Sequence, residues 1–218
     1  MTRIACLHTV ESNVSVFDPA LRDLGLVGVE LSHTVRADLL AAAEKAGGMT
    51  PAIAQQTGDA LRALCADADA VLLTCSTVGP AAEEVAPTAA VPMLRVDAAL
   101  AREAVKNGGK VVVLCAVETT VEPTRRLFEK AAQATGAKID MRLVPGAWDA
   151  FRAGDPARYW SLIAQAADKV SGEGGVACVA LAQASMAGAA SLSTVGRRPL
   201  NSPMVGLKAA AEAVPGRK

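Results

Sequence analysis

Cys75 ends the apolar run Val71-Leu72-Leu73-Thr74-Cys75 and begins the small polar turn Ser76-Thr77-Val78-Gly79-Pro80. The pattern predicts a strand, a turn and a helix opened by the proline, with the thiol at the junction. Cysteines among the backbone N–H groups of a helix N-terminus are favoured as thiolates, and a thiolate is a base or a nucleophile. The hydroxyls of Ser76 and Thr77 are donors for a small anion. Removing a proton α to a carboxylate needs that combination, a desolvated base together with donors that stabilise an enediolate.

The chain repeats this turn without its thiol. Ala184, in Ala182-Gln183-Ala184-Ser185-Met186-Ala187-Gly188, lies half the chain length after Cys75. The same offset pairs Ser76 with Ser185, Gly79 with Gly188, and Ile4-Ala5-Cys6-Leu7 with Val113-Leu114-Cys115-Ala116. A chain of 218 residues therefore reads as two α/β halves of one plan.

Ligands of open α/β sheets sit beyond the carboxyl ends of the strands. Four turns then form the candidate site: His8 to Asn13, Thr74 to Thr77, Val117 to Thr120, and Gln183 to Met186. The catalytic candidates are Cys75, His8 and Glu118, the last two having suitable pKa values for a second proton transfer. The candidates for substrate binding are Thr9, Ser76, Thr77, Thr119, Thr120, Gln183, Ala184 and Ser185. These turns carry hydroxyls and amides but little Lys or Arg, which suits a small carboxylate better than a phosphate. No GxGxxG or GxxxxGK[ST] occurs, so no nucleotide cofactor is expected, nor any other cofactor.

Short apolar or β-branched runs must position these turns. Strands are predicted at 3–7, 27–31, 70–74, 93–96, 110–116, 139–143 and 176–182, in the pattern of parallel sheets covered on both faces. Helices are predicted to start at Thr50-Pro51 (burying Ile53, Leu61 and Leu64), at an Asp97 cap, near Val121 and at Asp155-Pro156. Residues 146–156 read as a lid or a helix connection. The class is doubly wound α/β.

Zero net charge and only three Phe, two Trp and one Tyr leave neither a phosphate-backbone footprint nor stacking platforms, so nucleic acid is not an expected partner. The apolar runs are too short to span a bilayer, and Met1 leads directly into a strand; a cytoplasmic protein with no membrane partner is expected. Five scattered cysteines and two histidines offer no metal-ligand spacing, so reduced thiols and no metal are expected.

The Thr-Cys-Ser-Thr turn and its later counterpart resemble the aspartate/glutamate racemase superfamily, with its hydantoin racemase, maleate isomerase and arylmalonate decarboxylase branches. That family's Cys-Asn-Thr motif matches Cys75-Ser76-Thr77, and its Thr-rich turn matches Thr119-Thr120. Its second motif, Gly-Cys-Thr, falls on Gln183-Ala184-Ser185, where the second thiol is absent. The resemblance implies two pseudo-symmetric doubly wound parallel-sheet domains with an active-site cleft between them. The chain returns to the first domain near Asn201 to Gly206, giving 1–96 plus 198–218 and 97–197 as the domains. It also implies a homodimer and a cofactor-independent isomerase working on a small carboxylate, with Cys75 as base or nucleophile. A single-cysteine decarboxylase and a non-catalytic carboxylate-binding protein remain as alternatives.

Each candidate also has a plainer reading. Cys6, Cys65, Cys115 and Cys178 read as core, His33 as a surface residue, and His8 as either a site residue or a hydrogen-bonded structural one. Thr119 and Thr120 serve equally as helix caps, Glu118 as a solvated charge, and Ser12 and Asn13 as turn formers.

Overall fold

The computed structural model of the protein describes residues 1–216. The apolar runs form two parallel sheets. In the first, β1 (Thr2–His8), β2 (Val29–Val35), β3 (Ala70–Leu73) and β4 (Met93–Arg95) lie in the order β2-β1-β3-β4. In the second, β5 (Lys110–Cys115), β6 (Lys138–Leu143), β7 (Val176–Leu181) and β8 (Leu200–Asn201) lie in the order β6-β5-β7-β8. The helices between them are α1 (Val14–Leu24), α2 (Ala37–Ala46), α3 (Pro51–Leu64), α4 (Pro80–Val85), α5 (Val96–Val105), α6 (Glu118–Ala132), α7 (Ala147–Arg152), α8 (Pro156–Ser171) and α9 (Ser202–Ala213). The repeat governs the whole architecture: β2 begins at Val29 and β6 begins one repeat length later at Lys138, and the two strand orders are the same.

The chain divides into two compact units, Met1–Ala99 with the segment from Pro203 onward, and Leu100–Ser202. The last helix of each half is exchanged, because most of α5 belongs to the second unit while α9, from Pro203, belongs to the first. In the first unit Ala5, Leu7, Val71 and Leu73 present one sheet face to Leu39 of α2, Ile53 and Leu61 of α3, and Val85 of α4. Their spacing of two along each strand puts them on that face together. The second unit does the same with Val112, Leu114, Val179 and Leu181 against Ala147 and Ala150 of α7 and Tyr159, Ile163 and Ala167 of α8.

Local chemistry sets the helix ends. Thr50 Oγ1 accepts from Ile53 N, and Asp155 Oδ1 accepts from Arg158 N at 3.0 Å; each is followed by a proline that has no N–H to leave unpaired. Four expectations are corrected. Asp97 does not precede the helix as an N-cap, since α5 already begins at Val96; its Oδ1 accepts from Ala98 N in the first turn at 2.9 Å, and the carboxylate also takes both arms of the Arg95 guanidinium, at 3.0 and 2.7 Å. The segment 146–156 is more than a connection between helices, because Ala147–Arg152 forms the helix α7. The helix expected near Val121 begins at Glu118. Strand β2 runs on to Val35, which places His33 in the sheet rather than on the surface.

The paired glycines of the repeat share one purpose. A Cβ on Gly79 would lie 2.5 Å from the Arg95 guanidinium, and one on Gly188 would lie 2.5 Å from the Trp160 indole. Neither has a positive φ. Each is glycine so that a flat side chain can lie against the turn. In the second unit this lets Trp160 Nε1 donate to Ser185 O at 2.9 Å. Gly188→Ala must push the indole away, so it should lower unfolding stability by about 1–3 kcal/mol. An unchanged urea midpoint would show that the close approach is not needed.

Candidate active site

In each sheet the two central strands, β1 and β3 or β5 and β7, are neighbours where the strand order reverses. Chain segments leaving such a pair diverge and open a crevice at the carboxyl ends, where α/β proteins bind ligands. His8 and Thr9 leave β1 there, and Thr74 and Cys75 leave β3.

A buried polar chain ties these two strand ends. His8 is fully buried, with Nδ1 2.8 Å from Thr74 Oγ1 and Nε2 2.9 Å from His33 Nδ1; His33 Nε2 lies 3.1 Å from Asp18 Oδ1. Thr74 N and Oγ1 each lie 3.1 Å from Leu7 O, and Asn13 Nδ2 donates to Thr74 Oγ1. Burial, followed by the neighbouring His33, pushes the His8 pKa down to about 4, while Asp18 opposes the shift. His8 is therefore neutral near pH 7, with both ring nitrogens engaged.

Cys75 occupies the other face. Side chains alternate along an extended segment, so Thr74 turns toward His8 while Cys75 packs, half-buried, beside the Leu73 core. It does not sit at the helix start, because α4 begins at Pro80 and the intervening turn is closed by Gly79 N donating to Ser76 O at 3.2 Å. Thr9 is buried, Ser76 half-buried and Thr77 exposed.

The second unit builds its strand-end tie from an amide. Gln183, the repeat partner of Thr74, accepts from Ala116 N at 2.9 Å and donates to Thr120 Oγ1 at 2.8 Å; the Thr120 hydroxyl donates to Val117 O at 2.7 Å. The Cys115 thiol is pushed up to about 11 by burial, a shift that the nearby Gln183 and Thr120 oppose. Glu118 and Thr119, the first residues of α6, are exposed. Ala184 is buried, and Ser185 Oγ is 2.9 Å from Tyr159 OH. Two surface depressions, one of about 480 Å³ between α3 and α4 beside Thr50, Gln55 and Arg62 and one beside Met1, Val27 and Val214, contain no residue of these four turns.

Residues 37–210 match the model of a protein family described as Asp/Glu/hydantoin racemase. The chain belongs to that family. No curated protein sequence matches it. Among solved structures, Picrophilus torridus aspartate racemase is similar with a TM-score of 0.73 at 13% identity, over 98% of this chain and 94% of that one. An aspartate racemase homologue from Pyrococcus horikoshii gives 0.71 at 15%, over 97% and 98%. Klebsiella pneumoniae allantoin racemase gives 0.69 at 15%, over 97% and 87%. At these identities the likeness is one of fold, and it extends over nearly the whole chain. No helix of the described residues is long and apolar enough to cross a membrane.

Thr74, His33 and Asp18 of this racemase-family chain are absent from the residues that the sequence singles out as catalytic or binding. The signal for Thr74 lies in the repeat, since it pairs with Gln183; His33 needs the strand register that sets it beside Cys6. Burial also separates the thiols. Cys6 and Cys115 are inaccessible, Cys6 is pushed up to about 12 by burial and then by Asp18, and Cys65 donates to Leu61 O. In native protein near pH 7, iodoacetamide should alkylate Cys75 first and Cys6 and Cys115 last. Peptide mapping that finds Cys75 among the slowest would remove it as the reactive thiol.

Proposed function

We propose that the protein is a cofactor-independent isomerase of the amino-acid racemase type, moving a proton α to a carboxylate with Cys75 as the base. The observation that carries this reading is a half-buried cysteine in a Ser/Thr turn at the strand-order reversal of a racemase-family sheet. The Cys75 thiolate takes the α-proton, and the C–H electron pair moves into the carboxylate to give an enediolate. Hydroxyls and backbone N–H groups of Ser76 and Thr77 hold the growing charge. The proton then returns to the same carbon.

Inversion requires that a second group deliver the proton to the other face. Ala184 has nothing to give. Glu118 offers an exposed carboxyl, whereas His8, with both nitrogens held, acts only through Thr74 or His33. The buried methyl of Ala184 favours a second reading, a lyase that releases carbon dioxide from a malonate-type acid and protonates the enediolate on one face with the single thiol.

The test is product analysis by chiral chromatography over free amino acids, hydantoins, maleate and substituted malonates. On the accepted substrate, Cys75→Ala should lower kcat by about 10²- to 10⁴-fold, the range of a lost general base, and Ala184→Cys should raise the rate of inversion. Full activity in Cys75→Ala would overturn the assignment. We also propose a homodimer, supported by the exposed apolar side chains of Leu143, Trp148, Leu192 and Val195. Sedimentation should give twice the chain mass; a concentration-independent monomer would contradict it.

A further inference from the structure

We propose that the first unit holds a metal site of the zinc class, formed by Cys6, His8 and His33. Cys6 and His8 are two apart on β1 and so share a face, and His33 on β2 stands in register with Cys6. One donor atom from each lies within 4.8 Å of the others. Zinc bonds of about 2.0–2.3 Å set tetrahedral ligand atoms roughly 3.3–3.8 Å apart. His8 Nε2 and His33 Nδ1 therefore need to part by only a few tenths of an ångström from their 2.9 Å separation.

The outer contacts carry the argument further. A ligating histidine usually has its other ring N–H held by an oxygen, which fixes tautomer and orientation. Both rings here meet that condition. His33 Nε2 faces Asp18 Oδ1 at 3.1 Å, and His8 Nδ1 faces Thr74 Oγ1 at 2.8 Å. If His8 Nδ1 donates to Thr74, the Thr74 hydroxyl still has an acceptor in Leu7 O at 3.1 Å. With those protons outward, His8 Nε2 and His33 Nδ1 turn two lone pairs toward each other, which a shared cation relieves. Cys6, a free and buried thiol, supplies a third donor that is softer than nitrogen. No fourth His, Cys, Asp or Glu joins the group among the described residues. A metal there would clip β1 to β2 and fix the His8 ring that faces Thr74. This inference rests on the first unit's geometry and is independent of any role for Cys75.

The second unit supplies an internal control. Cys115 occupies the repeat position of Cys6, but Val117 and Arg142 occupy those of His8 and His33, so no equivalent donor set exists there.

Chelator-treated, full-length protein should be titrated with Co²⁺ and followed by absorption, with Zn²⁺ as competitor and circular dichroism as a check of folding. The expected result is one equivalent of tetrahedral Co²⁺ with a thiolate charge-transfer band, displaced by Zn²⁺, and a melting temperature that rises with Zn²⁺. Cys6→Ser should remove the band, Cys115→Ser should leave it unchanged, and the exposed change Asp18→Asn should weaken Zn²⁺ binding about 10- to 100-fold without unfolding the chain. Absence of stoichiometric binding in folded protein would overturn the proposal and leave the two histidines sharing a proton only. A band that survives in Cys6→Ser, or Zn²⁺ affinity unchanged in Asp18→Asn, would overturn it equally.

Discussion

Two parallel strands that part company at a reversal of strand order leave their last peptide groups short of ladder partners, and burying such groups unpaired costs about 1–3 kcal/mol each. The rest of this structure depends on how that need is met. In the first unit Thr74 meets it with its own N–H on Leu7 O, to which its hydroxyl adds a second bond while joining His8, and in the second Gln183 meets it with a side-chain amide bridging Ala116 N and Thr120. The two residues occupy the same place in the repeat. Each fixes the residue that follows it, Cys75 in one unit and Ala184 in the other. The chemistry of the site is thus placed by a structural tie one residue upstream.

Common ancestry of the halves shows in strand order and in the glycines, and their divergence shows in the polar groups. Gly79 and Gly188 both admit a flat side chain, yet one receives a guanidinium bound to Asp97 and Glu83 and the other an indole bound to Ser185 O. The first tie continues through His8 to His33 and Asp18; the second ends on the Thr120 hydroxyl and Val117 O. One backbone plan therefore supports an ionisable chain running from buried His8 to exposed Asp18 on one side of the repeat and a neutral amide network on the other.

The fold is legible in the sequence because both sheets are covered on both faces, which turns central strands such as Ala70–Leu73 into plain apolar runs. Strand β2 lies later than its sequence suggests because it is an edge strand carrying Glu30, Ser32 and His33, with no continuous apolar run to mark it. The two-residue β8 and six-residue α7 are too short to leave a periodic signal. The turns at 75 and 184 are legible from composition and repetition. The distance of Cys75 from α4 is not, since a proline at the helix start does not reveal that residues 76–79 close a turn of their own. The His8–His33 pair is hidden for a different reason, since two residues 25 apart meet only once the register of β1 with β2 is fixed.

The proposed chemistry makes the two repeat-related turns unequal, with a proton-transferring thiol at 75 and an inert methyl at 184. In deuterated water, proton magnetic resonance of an accepted substrate can follow loss of the α-hydrogen while chiral analysis follows the configuration of the same sample. One-sided chemistry predicts that one enantiomer exchanges its α-hydrogen far faster than it inverts. Exchange and inversion at equal rates in the unaltered protein would contradict it, because another residue would then be serving the second face.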